Sequence, residues 1–421
     1  MKKIAVVGSG ISGHVVAHQL RDLAKVTLYE SESRFGGHAN TVTINGTPVD
    51  TGFIVYNELN YPGLVNLFKE LNVPTVETDM SFGTQDLKTG IQYSTQNING
   101  VFAQRKNLFN PKYLKVWSDF FKLKTYAEEF LKNNPHDITT TVGDLCREAG
   151  CGKTFKNLFL YAMAGAIWST APEEIDGYPA RSFLQFMVNH RMLQASGQPI
   201  WRTVVGGSKE YVKRLSKFSE VRRLSNSAVQ EIKRVVEGVS IKAKGHESEI
   251  YDEVIVATHS DQALKIIDKP SQKETEVLSS IKYQPNQAIL HSDLKMMPSE
   301  KRAWAAWNVC LPKTAKSRIE LTYDMNRLQH LTGQPWLITL NPHREIAEEK
   351  IHKTIDYMHP FFDLNALKAQ ERWSEVSGVD RIHYCGAYWK WGFHEDGVWS
   401  ALRVVEEIKK GLQLKAIKSN G

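Results

Sequence analysis

Lys3-Ile4-Ala5-Val6-Val7-Gly8-Ser9-Gly10-Ile11-Ser12-Gly13 is the stretch that decides the fold. Its first five residues are mostly apolar and β-branched, the pattern of a buried strand, and they run straight into a glycine turn. A helical pattern follows from His14 to about Leu23, and a second apolar run, Val26-Thr27-Leu28-Tyr29, ends at Glu30. Strand, glycine turn, helix, strand and acid together describe a dinucleotide-binding βαβ unit. Gly8 allows the tight turn, Gly10 lets the backbone approach a pyrophosphate, and Gly13 lets the helix pack closely on the strand. Ser12 falls in the first helical turn, whose free N–H groups and partial positive charge suit phosphate. Glu30 lies 30 − 8 = 22 positions after Gly8 and is followed by Ser31. That spacing is near the ~20 residues expected of a ribose hydroxyl acceptor.

Outward from this unit, Arg34-Phe35-Gly36-Gly37-His38 extends the phosphate cradle, with glycines for close approach and Arg34 as a fork of donors. Thr41-Val42-Thr43-Ile44, Asn45-Gly46 and Thr47-Pro48-Val49-Asp50 read as a hairpin leading to Gly52-Phe53-Ile54, whose amides would approach the bound group. Helical periodicity appears at 63–71, and 155–168 reads as a buried helix. Gly206-Gly207-Ser208 precedes a helix over 210–218. Short strands are expected around 229–232 and 239–243, and Glu253-Val254-Ile255-Val256-Ala257-Thr258 is a further buried strand ending in small residues. Near the C-terminus, Ile382-His383-Tyr384-Cys385-Gly386-Ala387 leads through an aromatic loop to a helix from about Asp396 to Lys410. Nucleotide-type signals therefore stand at the start, middle and end of the chain. That scatter implies one discontinuous cofactor domain with a second domain inserted in two pieces.

The 421 residues suit two or three domains, and an apolar fraction of 42% supports a sizeable core. A net charge of +7 is too mild to argue for nucleic acid, and suits anionic substrates or an anionic membrane surface. The four cysteines form no CxxC pair, so a reduced, cytoplasmic setting is expected. The longest apolar run, Leu158–Trp168, is short of the ~18 residues of a membrane span. His394-Glu395 does not form HExxH, and no histidine shows metal-ligand spacing. From 101 to 133 the chain is basic and aromatic, with Phe109, Trp117 and Phe121 interleaved with Lys112, Lys115, Lys122 and Lys124. This segment is expected either to contact acyl chains and the inner membrane face peripherally, or to be a solvated basic face over an aromatic core.

In their order, Gly8-x-Gly10-x-x-Gly13, Glu30, Arg34-x-Gly36-Gly37 and Asp50-x-Gly52 resemble the flavin amine oxidase and phytoene desaturase superfamily. Ala166-Ile167-Trp168-Ser169-Thr170, Trp201–Ser208, Arg302–Asn308 and Gly392-Phe393-His394-Glu395-Asp396-Gly397 resemble more narrowly a bacterial subgroup of FAD-dependent oxidoreductases. Members of this subgroup are often encoded beside cyclopropane-fatty-acid-synthase-like methyltransferases. The resemblance implies an α/β fold: a Rossmann-like FAD-binding domain (1–57, 203–262 and 378–421) and an α+β substrate domain (58–202 and 263–377). It implies FAD as cofactor and oxidation or desaturation of an unsaturated or methylated fatty acyl chain, with a lipid methyltransferase as a partner. Oxidation of an amine, carotenoid or porphyrinogen, and a non-catalytic flavin-binding partner, are the alternatives. By the same resemblance Val229 would contact adenine through its backbone, and Ala257 and Gly386 would line the cofactor. Asp396, Gly397 and Val398 would bring a helix N-terminus to the flavin, with helix capping the competing role for Asp396. Ala387 stands where the superfamily usually has an acid. If a base is needed, His394 and Glu395 are the candidates.

Overall fold

We describe the protein from a computed structural model covering residues 1–168, 172–194, 197–313 and 319–419. Ser169 and Thr170 of the subgroup segment lie outside the described residues.

The opening stretch forms β1 (Lys3–Val7), α1 (Ile11–Leu20) and β2 (Lys25–Tyr29). Both strands are buried after their first lysine, as near-continuous apolar runs in a covered parallel sheet should be. β1 sits at the centre of a five-stranded parallel sheet, in the order Val221–Leu224, β2, β1, Glu253–Val256, Ile382–Tyr384. All five strands come from 1–57, 203–262 and 378–421. A seven-stranded sheet drawn from 58–202 and 263–377 forms the second layer; its longest pairing runs between Lys282–His291 and Ile351–Phe361. The hairpin Thr41–Ile44/Thr47–Asp50 turns at Asn45-Gly46. Trp201–Val204 lies between Tyr56–Asn57 and Thr75–Thr78 in a small antiparallel sheet.

Two elements differ from their sequence reading in informative ways. The 155–168 helix is helical throughout but carries a π turn over Lys156–Tyr161. The last helix begins at His394, two residues early, because the Asp396 carboxylate accepts the Phe393 amide at 2.8 Å and so satisfies one of its orphan donors. Among the described residues no helix is long and apolar enough to cross a membrane.

The chain's two ends are locked together. The last helix packs along α1, and Ser12 Oγ donates to the Gly397 carbonyl at 3.0 Å. A Cβ on Gly397 would fall 2.7 Å from Ile11 Cγ2, so only glycine permits this approach. Asp50, buried, is the other clamp. It accepts from the Ser208 amide and hydroxyl, Thr41 Oγ1 and Gln329 Nε2.

Candidate active site

A cavity of about 540 Å³ is walled by residues of both layers. That size is ordinary for a small-molecule or cofactor site. Its lining divides into a polar region built on the glycine turn and an aromatic region to which 167–192, 307–323 and 391–393 contribute.

In the polar region, Gly10 is the point of closest approach: a Cβ there would meet nothing within 4 Å, so the backbone faces open space. Gly13 does not line the cavity; a Cβ there would fall 1.9 Å from the Gly8 carbonyl oxygen, so its role is helix–strand packing. No side chain caps the α1 N-terminus, which leaves its first amides to an anion. Glu30 Oε2 accepts the Ser9 amide at 3.1 Å and the Ser9 hydroxyl at 2.5 Å, binding the acid to the turn it serves. Gly36 donates to the Ser9 carbonyl at 3.1 Å, so the second glycine pair folds back onto the first. Arg34 donates to the Gly37 carbonyl at 2.9 Å and lines the cavity with Ser31, Gly37 and His38. Gly52, Phe53, Ile54, Ala257 and Gly386 line it as well. Amides for a diphosphate, an acid for a ribose and an extended cavity fit an adenine dinucleotide. At 387 the side chain offers no donor, which leaves the backbone amide; the Gly386 amide is already given to Ser400 Oγ at 2.9 Å.

Several expected site residues stand elsewhere. Val229 does not line the cavity; it opens the strand Val229–Val235 opposite Ala243, beside a bulge. The neighbouring Ser227 amide instead donates to the Glu30 carbonyl at 2.8 Å. Gly36, Asp396, Gly397 and Val398 support the wall from behind. Glu395 corrects the expectation of a base: its two oxygens accept the Gly63 and Leu64 amides at 2.9 Å each, capping the helix Pro62–Glu70. His394 does line the cavity. It stacks on Phe53 with ring centroids 3.9 Å apart, and its Nε2 is paired with the Tyr211 hydroxyl at 2.8 Å. Burial pushes it down to about 3, so it stands neutral and is a weak base. Asp396 is pushed up to about 7 by burial.

Three histidines meet on the cavity wall from distant segments. His38 lies 5.6 Å from His359 and 6.3 Å from His259 between ring centroids, and stacks on Tyr357 at 4.8 Å. Burial lowers all three, His359 to about 4, so the wall carries imidazoles without charge at pH 7.

The aromatic region is formed by Ile167, Trp168, Phe186, Met192, Trp391 and Phe393 with Trp307 and Tyr323. Phe186 stacks on Phe393 at 5.2 Å and leans on Trp168 at 4.9 Å. His190 is set among them, with its ring 4.1 Å from that of Phe186. Its Nδ1 lies 3.0 Å from the Phe186 carbonyl, which can only accept. Nδ1 therefore carries the proton, and Nε2 is the lone-pair nitrogen, with no hydrogen bond among the described residues. Burial lowers its pKa and keeps it neutral. Among the described residues the cavity's carboxylates are Glu30, Glu32 and the exposed Asp356, and its arginine is Arg34. None belongs to the aromatic region.

The family model for flavin containing amine oxidoreductases matches residues 11–295. Among curated protein sequences none matches this chain. Solved structures of the same fold include wild-type putrescine oxidase bound to putrescine, at 15% identity, TM-score 0.70, 97% of this chain and 99% of that one. A CLA-producing fatty acid isomerase from P. acnes matches at 14% identity, TM-score 0.71, 96% and 98% coverage. Cyclohexylamine oxidase from Brevibacterium oxydans IH-35A matches at 14%, TM-score 0.69, 97% and 99%.

Proposed function

Because this chain belongs to the flavin-containing amine oxidoreductases and is an FAD-dependent oxidoreductase, we propose that it desaturates an apolar lipid, an unsaturated or methylated fatty acyl chain. The shared fold does not choose the substrate, since it serves proteins named for amines and one named for a fatty acid. The observation that carries the reading is the aromatic region: it offers rings and aliphatic side chains and, among the described residues, no carboxylate to hold an ammonium group. A buried cation without a partner would cost several kcal/mol on the order of the ion desolvation penalty.

FAD, when bound, supplies the hydride acceptor. Gly10, the α1 amides, Glu30 and Arg34 would hold its nucleotide half. The last helix starts at the cavity wall, so its positive end favours negative charge there. Trp168, Phe186, Trp391 and Phe393 exclude water and lay the acyl chain in one orientation. Removing two hydrogens from a C–C bond sends one away as hydride and leaves one as a proton. His190 lines the cavity and is neutral, and its Nε2, the nitrogen with the free lone pair, accepts that proton. The test is anaerobic addition of unsaturated or methylated acyl phospholipid to the oxidised holoprotein. Bleaching near the visible flavin band with lipid but not with putrescine or cyclohexylamine supports the proposal. Bleaching with the amines alone would overturn it.

A further inference from the structure

We infer that the face built by residues 98–125 docks on an anionic phospholipid bilayer. The structure spends several devices on keeping large apolar side chains out in solvent there. Phe109 is 87% exposed, Ile98 69% and Phe121 55%, with Leu108 and Leu114 also exposed. These side chains are not on a loose loop. Asn97 caps the short helix Ile98–Val101 and Asn110 caps the helix Pro111–Asn133. Arg105 pins the short helix from the following turn, donating to Asn99 Oδ1 at 3.0 Å and the Phe102 carbonyl at 3.1 Å, and the Tyr113 hydroxyl ties the long helix to the short one by donating to the Val101 carbonyl. A fixed apolar surface in water is the preorganised form of a surface meant to be covered.

Charge names the occupant. Between 98 and 125 stand Arg105, Lys106, Lys112, Lys115, Lys122 and Lys124 against one acid, Asp119. Asp119 is buried, 2.6 Å from Lys115 and 3.6 Å from Lys122, and accepts the Gly152 amide, so it presents no negative surface. On the long helix, Leu114, Ser118, Phe121 and Thr125 fall within about 60° of one another at ~100° per residue. By the same count Lys115 and Lys122 flank that stripe on one side and Lys124 on the other. Apolar tips between basic flanks suit acyl chains below a layer of phosphates. The opposite face of this helix packs on Ala180–Asn189, the helix whose Phe186 lines the cavity. The docked surface and the cavity wall are thus two sides of one helix pair.

Binding is read without turnover, so it stands or falls separately from the desaturation reading. The holoprotein is sedimented with vesicles of phosphatidylcholine alone and with vesicles that also contain phosphatidylglycerol. Binding is expected to the anionic vesicles only, and to weaken with salt. Lys106→Glu with Lys112→Glu and Lys124→Glu leaves the partners of Asp119 in place; it should lower affinity on the order of a hundredfold. Phe109→Ser should lower it on the order of tenfold, with flavin retained. Hydrogen exchange of the unmodified holoprotein should slow in 98–125 when anionic vesicles are added. Equal binding to neutral vesicles, affinity unchanged in both variants, protection elsewhere, or self-association that buries this face without lipid would each overturn the inference.

Discussion

Ser12 Oγ donates to the Gly397 carbonyl at 3.0 Å, joining two residues 385 positions apart. Through this contact the first helix of the βαβ unit and the last helix of the chain present their N-terminal ends to one cavity. The cofactor site is therefore a product of chain closure.

Two glycines of the opening motif separate folding from binding. Gly10→Val places its side chain in open space, so the fold should persist while FAD is displaced. Gly13→Val would drive a Cβ to 1.9 Å from Gly8 O, so both should fail. Circular dichroism with the visible flavin spectrum distinguishes the cases. Flavin retained at full occupancy in Gly10→Val contradicts the assignment of the cradle.

His190 and Glu395 make opposite predictions. His190→Gln should slow flavin reduction by lipid about 10²- to 10⁴-fold, the usual worth of a positioned proton acceptor. Glu395→Gln should leave that rate within about threefold and lower stability by about 1–3 kcal/mol, since one of the two capped amides loses its acceptor. Stopped-flow reduction and chemical denaturation measure the two quantities. A large rate loss in Glu395→Gln would restore it as a base.

What was legible in the sequence was what is local. The glycine turn, Glu30 and the Asn45-Gly46 hairpin each carry their chemistry within about thirty residues, where spacing constrains geometry. Glu395 looked like a candidate base because it adjoins an aromatic loop, yet its carboxylate is committed to amides 331 and 332 positions away. The imidazole of His190 and the meeting of His38, His259 and His359 left no local signal, because tertiary packing alone creates them. The Asp50–Ser208 clamp is invisible for the same reason, since its two residues stand 158 positions apart.

Acid should destabilise the protein. His14, His359 and His394 stand at about 3, 4 and 3 in the fold, so below pH 6.5 the unfolded chain takes up protons that the fold refuses. Each costs about 2 kcal/mol by pH 5. Asp50 and Asp396, raised by burial to about 6 and 7, work the other way: they favour the fold at low pH and lose that contribution as pH rises through those values. The histidines outnumber them, so denaturation midpoints should fall between pH 7 and 5. Asp396→Asn removes one opposing contribution and should steepen the fall. A flat or inverted profile would contradict the burial of these imidazoles.

The aromatic region should act on transition-state binding. Phe393→Ala removes the ring stacked on Phe186 and should reduce kcat/KM for acyl substrate about ten- to a hundredfold. Steady-state kinetics with acyl chains of increasing length would check this, with the longest chains losing most. An equal loss for every length would contradict a chain-binding role.

Desaturation is tested most directly by the mass of the lipid after single turnover with oxidised holoprotein. The product is predicted to be lighter by two hydrogens, in amount equal to the flavin reduced. A product of unchanged mass with a shifted double bond, or flavin that stays oxidised throughout, would contradict it.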